Sequence, residues 1–116
     1  MDDRKSMSET AAIKRLAALA HETRLRLFRV LIAAGPDGLP AGTLAECLDV
    51  SPSNLSAHLT LLTQAQLITA RRAGRQRIYS VDLAAAGALI DYLVSDCCGG
   101  HPEVCDAIGE RDLTCQ

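Results

Sequence analysis

The chain has 116 residues, 48% of them apolar, a formal charge of −2 and three aromatic side chains, Phe28, Tyr79 and Tyr92. A core of Leu, Ala, Val and Ile with so few rings suits packed helices better than a sandwich, in one small domain that gains from a partner. No apolar run approaches the roughly 20 residues of a membrane span, and MDDRKSMSET lacks the apolar segment of a signal peptide, so a cytoplasmic protein with reduced thiols is expected.

Taken in chain order, Ser8 and Glu9 can cap a first helix, SETAAIKRLAALA, with Ile13, Leu16, Ala17 and Ala20 at helical spacing. A second helix follows in HETRLRLFRVLIAAG. Its apolar face is read as Leu25, Phe28, Leu31 and Ile32, opposite a set of arginines, with His21 as a cap or surface residue. Gly35-Pro36-Asp37-Gly38 ends it. A short third helix spans 41–48, its apolar side made by Leu44, Cys47 and Leu48. After Asp49-Val50, the pair Ser51-Pro52 is a strong helix start, serine capping and proline occupying the first turn. The fourth helix, SPSNLSAHLTLLTQAQ, should bury Leu55, Leu59 and Leu62 and leave Ser53, Asn54, Ser56, Ala57 and Thr60 off the core.

The period then changes from that of a helix to that of strands. Residues 67–72 and 76–81 read as a hairpin around Ala73-Gly74-Arg75. Asp82 caps a last helix, DLAAAGALIDYLVSD, whose Leu83, Ala86, Ile90, Leu93 and Val94 spread around its circumference. So little charge predicts burial, and a chain of this size has little to bury it in. The first and last helices are therefore expected to form a homodimer. The expected division is one folded, dimerising domain over 1–96 and a cysteine-containing tail over 97–116.

Charge is distributed unevenly along this order. Residues 50–81 carry Arg71, Arg72, Arg75 and Arg77 and no acid, whereas residues 82–116 carry seven acids against Arg111. Two short helices, a tight turn and a basic hairpin make a winged helix-turn-helix, mainly α with a small β-hairpin. The small polar residues opening the fourth helix can approach base edges and phosphates in a major groove. The hairpin arginines supply salt-sensitive contacts to flanking phosphates or a minor groove. Double-stranded operator DNA is the expected partner, with no membrane. His58 has two readings, a phosphate contact or a ring packed beside Leu59 and Leu62, and Tyr79 is read as packing the wing.

LAALAHETRLRLFRVL at 16–31 resembles the signature opening of the ArsR-type metalloregulatory repressors. SNLSAHLTLLTQAQLITARRAGRQRIYSV at 53–81 resembles their recognition helix and wing, so the resemblance extends over about residues 12–95. It implies a homodimeric winged-helix repressor, not an enzyme, that leaves its operator when a toxic metal or metalloid binds. By position it places Ser53, Asn54, Ser56, Ala57 and His58 at or near DNA and Arg75 at the wing tip.

Five cysteines remain: Cys47, Cys97, Cys98, Cys105 and Cys115. In a reducing compartment they point to metal binding or redox sensing before structural disulfides. Zinc sensors of the resembled family use Asp and His on the last helix; here Asp82 and Asp91 have no histidine beside them. Its arsenic sensors carry ELCVCDL on the third helix, where this chain has AECLDV, and Cys47 is read as a small core residue. In the tail, CCGGHPEVC lacks the CxxC spacing of tetrahedral zinc. Three thiolates, Cys97, Cys98 and Cys105, suit a trivalent metalloid bound as a trigonal pyramid of sulfurs, arsenite or antimonite. The tail also resembles that of arsenite repressors with two adjacent cysteines followed by a third. Cys115 is the alternative third ligand. The alternative to metalloid release is a thiol/disulfide redox switch in which Cys97 or Cys98 pairs with Cys105.

Overall fold

The structure, a computed structural model, describes residues 7–94. Among these residues, five helices and three short strands follow one another as α1 (Glu9–Leu19), α2 (Glu22–Ala34), β1 (Leu39–Pro40), α3 (Ala41–Leu48), α4 (Pro52–Gln64), β2 (Ile68–Ala73), β3 (Gln76–Val81) and α5 (Leu83–Val94), with a 3-10 turn at Gly35–Asp37. This is the expected winged helix-turn-helix.

The helix starts form as the capping residues dictate. Ser8 Oγ accepts from the Ala11 amide at 3.0 Å, and Ser51 Oγ accepts from the Asn54 amide at 3.2 Å ahead of Pro52. Asp82 Oδ1 accepts from the Ala85 amide at 3.1 Å. Between α3 and α4, Asp49 adopts the left-handed conformation (φ 57°, ψ 49°), and the Val50 amide donates back to the Ala45 carbonyl at 3.2 Å. That closes α3 within two residues and fixes the start of α4.

Leucine dominates the core. Leu27, Leu31, Leu44, Leu55, Leu62, Leu67 and Ile68 are fully buried, joined by Leu48 and Leu59. Two expected faces are corrected. On α2, Leu31 is buried and Phe28 packs against the core as expected, but the second buried residue is Leu27, whereas Leu25 and Ile32 are each 46% exposed. Both stripes of α2 are apolar, and periodicity alone does not say which one meets α3 and α4. On α3 the packed residues are Leu44, Ala45 and Leu48, and Cys47 is exposed rather than a core residue.

The sheet has one strand more than the expected hairpin. β1 pairs antiparallel with β3 (Leu39 opposite Tyr79, Pro40 opposite Ile78), giving the order β1-β3-β2. Gly38 makes that approach possible: its φ is +71°, and a side chain there would overlap the Tyr79 carbonyl.

On α1 and α5 a different surface emerges. Ile13, Leu16, Leu83, Ile90 and Leu93 are all exposed, and Leu89 is the buried residue of α5. Among the described residues no helix is long and apolar enough to cross a membrane.

Candidate nucleic-acid interface

On a helix turning about 100° per residue, Ser53, Ser56, Ala57 and Thr60 fall on one stripe of α4, flanked by Asn54. All five are exposed, and Leu55, Leu59 and Leu62 anchor the opposite side in the core. The stripe carries no charge and no bulky side chain, so the helix backbone can come close to whatever it meets.

Beside it stands the wing. Strands β2 and β3 pair from Ile68–Val81 to Ala73–Gln76, with Arg72 directly opposite Arg77 and Arg71 opposite Ile78. Gly74 (φ +66°) makes the turn that presents Arg75. Alternation along a strand puts Arg72 and Arg77 on one face of the ribbon and Arg71 on the other. Arg77 shares a groove with Thr60, Gln64 and Tyr79, so the Arg72–Arg77 face adjoins the exposed stripe of α4. Arg71 instead donates to the Asp37 carbonyl at 3.1 Å, bracing the wing against the loop before β1. Tyr79 is half-buried against the core, as read from the sequence.

All four arginines are exposed, and no carboxylate among the described residues pairs with them. Two cations set directly opposite each other on a ribbon repel. An arrangement of that kind is relieved by an anion lying across both.

His58 sits elsewhere. It is half-buried on the α2 side of α4, with its ring 4.7 Å from that of His21 and its Nδ1 accepting from Arg24 at 3.3 Å. His21 caps α2, its Nδ1 accepting from the Thr23 amide at 3.1 Å. Arg24 also donates to the Ala18 carbonyl at 2.6 Å. The two histidines and the arginine thus join the α1–α2 corner to the back of α4. Their spacing, 34 residues between Arg24 and His58, left no local signal.

Partial burial, then His21 and Arg24 alongside, hold the His58 pKa below the ordinary 6.5. The unfolded chain therefore takes up this proton first. The stability that depends on neutral His58 is complete above pH 6.5 and is lost as pH falls through 6.5 toward the lowered folded value. His58→Gln, which keeps an acceptor but does not titrate, should shrink the fall in Tm on acidification from about pH 7.5 to about pH 5.5. An unchanged fall would assign it to other groups.

Residues Cys97, Cys98, Cys105 and Cys115, and with them the expected tail domain, lie outside the described residues. Among the described residues, no three His, Cys, Asp or Glu side chains come together as a metal site.

Comparison with known proteins places this geometry in a family. Residues 19–71 match a family model described as a helix-turn-helix domain. The chain is 36% identical over 96 residues to the HTH-type transcriptional regulator Rv2034 of Mycobacterium tuberculosis, covering 80% of this chain and 87% of that one. It is 39% identical over 75 residues to a Halobacterium salinarum protein with the provisional name arsenical resistance operon repressor ArsR. That match covers 65% of this chain but 57% of the relative's length. Among solved structures, a crystal structure described as a possible transcriptional regulator for arsenical resistance superposes with TM-score 0.63 at 32% identity, covering 72% of this chain and 84% of that one. A homodimeric winged helix-turn-helix domain from Mycobacterium bovis, described as a possible ArsR-family regulator, gives TM-score 0.61 at 26% identity over 87% of this chain and 94% of that one. The exposed polar stripe of α4, the arginine wing and these matches lead to one conclusion: the chain belongs to the ArsR family of helix-turn-helix transcriptional regulators, which are not enzymes.

Proposed function

We propose that the chain is a homodimeric repressor that binds operator DNA and is released when arsenite or antimonite binds Cys97, Cys98 and a third thiolate, Cys105 or Cys115. The observation that carries the DNA reading is the uncharged stripe of α4 beside the opposed, unpaired Arg72 and Arg77. Ser53, Asn54, Ser56, Ala57 and Thr60 enter the major groove, and Arg72, Arg75 and Arg77 hold phosphates. Arg71 adds charge near the backbone while bracing the wing. We assign His58 to seating α4 rather than to a phosphate, because its ring is half-buried on the α2 side of the helix against His21 and Arg24.

The dimer reading is supported by the exposed apolar residues of α1 and α5 and by the homodimeric mycobacterial neighbour. Two recognition helices in such a dimer read half-sites about 34 Å apart. The effector reading is supported by tail chemistry, three thiols within nine residues (97–105), and by relatives named for arsenical resistance. A soft trivalent ion needs only to favour the non-binding geometry by about 1–3 kcal/mol, the usual size of coupling between sites.

A gel shift on the DNA upstream of the chain's own gene, with arsenite, antimonite, cadmium and peroxide titrated separately, tests both halves. Wild type should shift the DNA, and arsenite or antimonite should release it. Cys97→Ser or Cys98→Ser should bind DNA normally and ignore the metalloid. Normal release from the serine variants would move the effector site elsewhere. Release by peroxide alone would favour the redox switch.

A further inference from the structure

The connection between recognition helix and wing, Ala65 to Leu67, is held from two sides. From α1, Arg15 Nε donates to the Ala65 carbonyl at 3.1 Å and its Nη2 to Gln66 Oε1 at 3.0 Å. From α5, the amide of its cap Asp82 donates to the Leu67 carbonyl at 2.9 Å. Arg15, Thr63, Gln66, Asp82 and Ala85 line one cleft where these elements meet.

Three features make Arg15 more than a surface cation. Helix α4 has no basic residue in its own last turn, so the carbonyl of its C-cap Ala65 takes its positive charge from Arg15 on α1. Gln66 is one of two non-glycine residues with positive φ (65°) among the described residues, a conformation that neighbours must hold in place. Finally, Arg15 lies in the same helix turn as Ile13 and Leu16, whose side chains are exposed. Whatever covers that apolar face fixes α1, and α1 fixes the end of α4 through a planar fork bound at both arms.

We infer that Arg15 is a positioning residue for operator recognition: it ties the C-terminus of α4 to the dimer helix and so sets the spacing of the two recognition helices. The inference rests on the DNA-binding, dimeric reading above. A residue that only stabilised the fold would raise affinity for all DNA alike. One that sets spacing acts on the match between protein and half-site separation and leaves phosphate contacts intact.

The test uses the full chain and a duplex that wild type selects from a random pool. Arg15→Ala should remain folded and dimeric, lose roughly tenfold in affinity for the selected duplex, the scale of one charge-assisted hydrogen bond, and bind random duplex as before. Inserting one base pair between the half-sites should weaken wild type more than Arg15→Ala. Equal losses on selected and random DNA, or an undiminished penalty for the inserted base pair, would reduce Arg15 to a stabilising residue and overturn the inference. If Arg15→Ala does not fold, Arg15→Lys, which keeps the charge but not the fork, carries the same spacing comparison. If wild type selects no duplex at all, the DNA-binding reading fails first and this inference falls with it.

Discussion

Gly38→Ala should destabilise the fold by about 2–6 kcal/mol, combining roughly 1–3 for a disallowed backbone conformation with roughly 1–3 for overpacking. The two contributions separate experimentally. Gly35 has nearly the same backbone conformation (φ +77°), but a methyl there meets nothing within 4 Å. Gly35→Ala should therefore show the conformational part alone. At Gly38 the added carbon runs into the Tyr79 carbonyl and approaches Ile78 Cγ2 to 3.1 Å. Neither can yield without moving the central strand of the sheet. Urea unfolding of the two variants measures the difference directly. Equal midpoints would mean that β1 does not need its close approach to β3.

Replacing both Arg72 and Arg77 by alanine should make DNA affinity less dependent on salt. Each lost phosphate contact lowers the slope of log affinity against log salt by about 0.9, so the double variant should be shallower by roughly 1.8. Between about 50 and 200 mM salt, wild type should then lose roughly tenfold more affinity than the variant does. The loss should be the same on operator and on random sequence, because phosphates carry no base identity. Stability should move the other way, rising by about 0.2–1 kcal/mol as two directly opposed cations are removed. An unchanged salt slope would take the wing off the DNA backbone. A drop in Tm would show that the pair is not strained as its register implies.

Much of this was written locally in the chain. Ser8, Ser51-Pro52 and Asp82 announce helix starts because a cap and its amide lie within three residues. Leu55, Leu59 and Leu62 announce a buried face because α4 has a single apolar stripe. On α2, Leu31 is buried as its spacing predicts, whereas the burial of Leu27 in place of Leu25 and Ile32 was not legible, since both flanks are apolar and the decision belongs to the neighbours. Cys47 misled for the same reason: α3 turns Leu44, Ala45 and Leu48 inward, and apolarity alone does not say which of two adjacent stripes that will be. Strand β1 is two residues long, one of them proline, and exists only because β3 lies beside it. The Arg24–His58 and Arg15–Ala65 contacts cross 34 and 50 residues. Such separations leave no periodic trace, yet they place α4. At the interface itself, residue chemistry gave the candidates; the strand register divided them, setting Arg72 and Arg77 beside α4 and Arg71 against Asp37.

The order β1-β3-β2 also leaves two open strand edges. Open edges invite the strands of other copies, which is how small sheets begin to aggregate. One edge is closed by brevity and by Pro40, which has no amide hydrogen to offer. The other, β2, is exposed from Thr69 to Ala73 and bears two adjacent arginines. Those side chains act as gatekeepers for the chain before it reaches DNA, keeping one wing from stacking on the next. A wing stripped of its arginines would thus remain folded while its colloidal solubility fell.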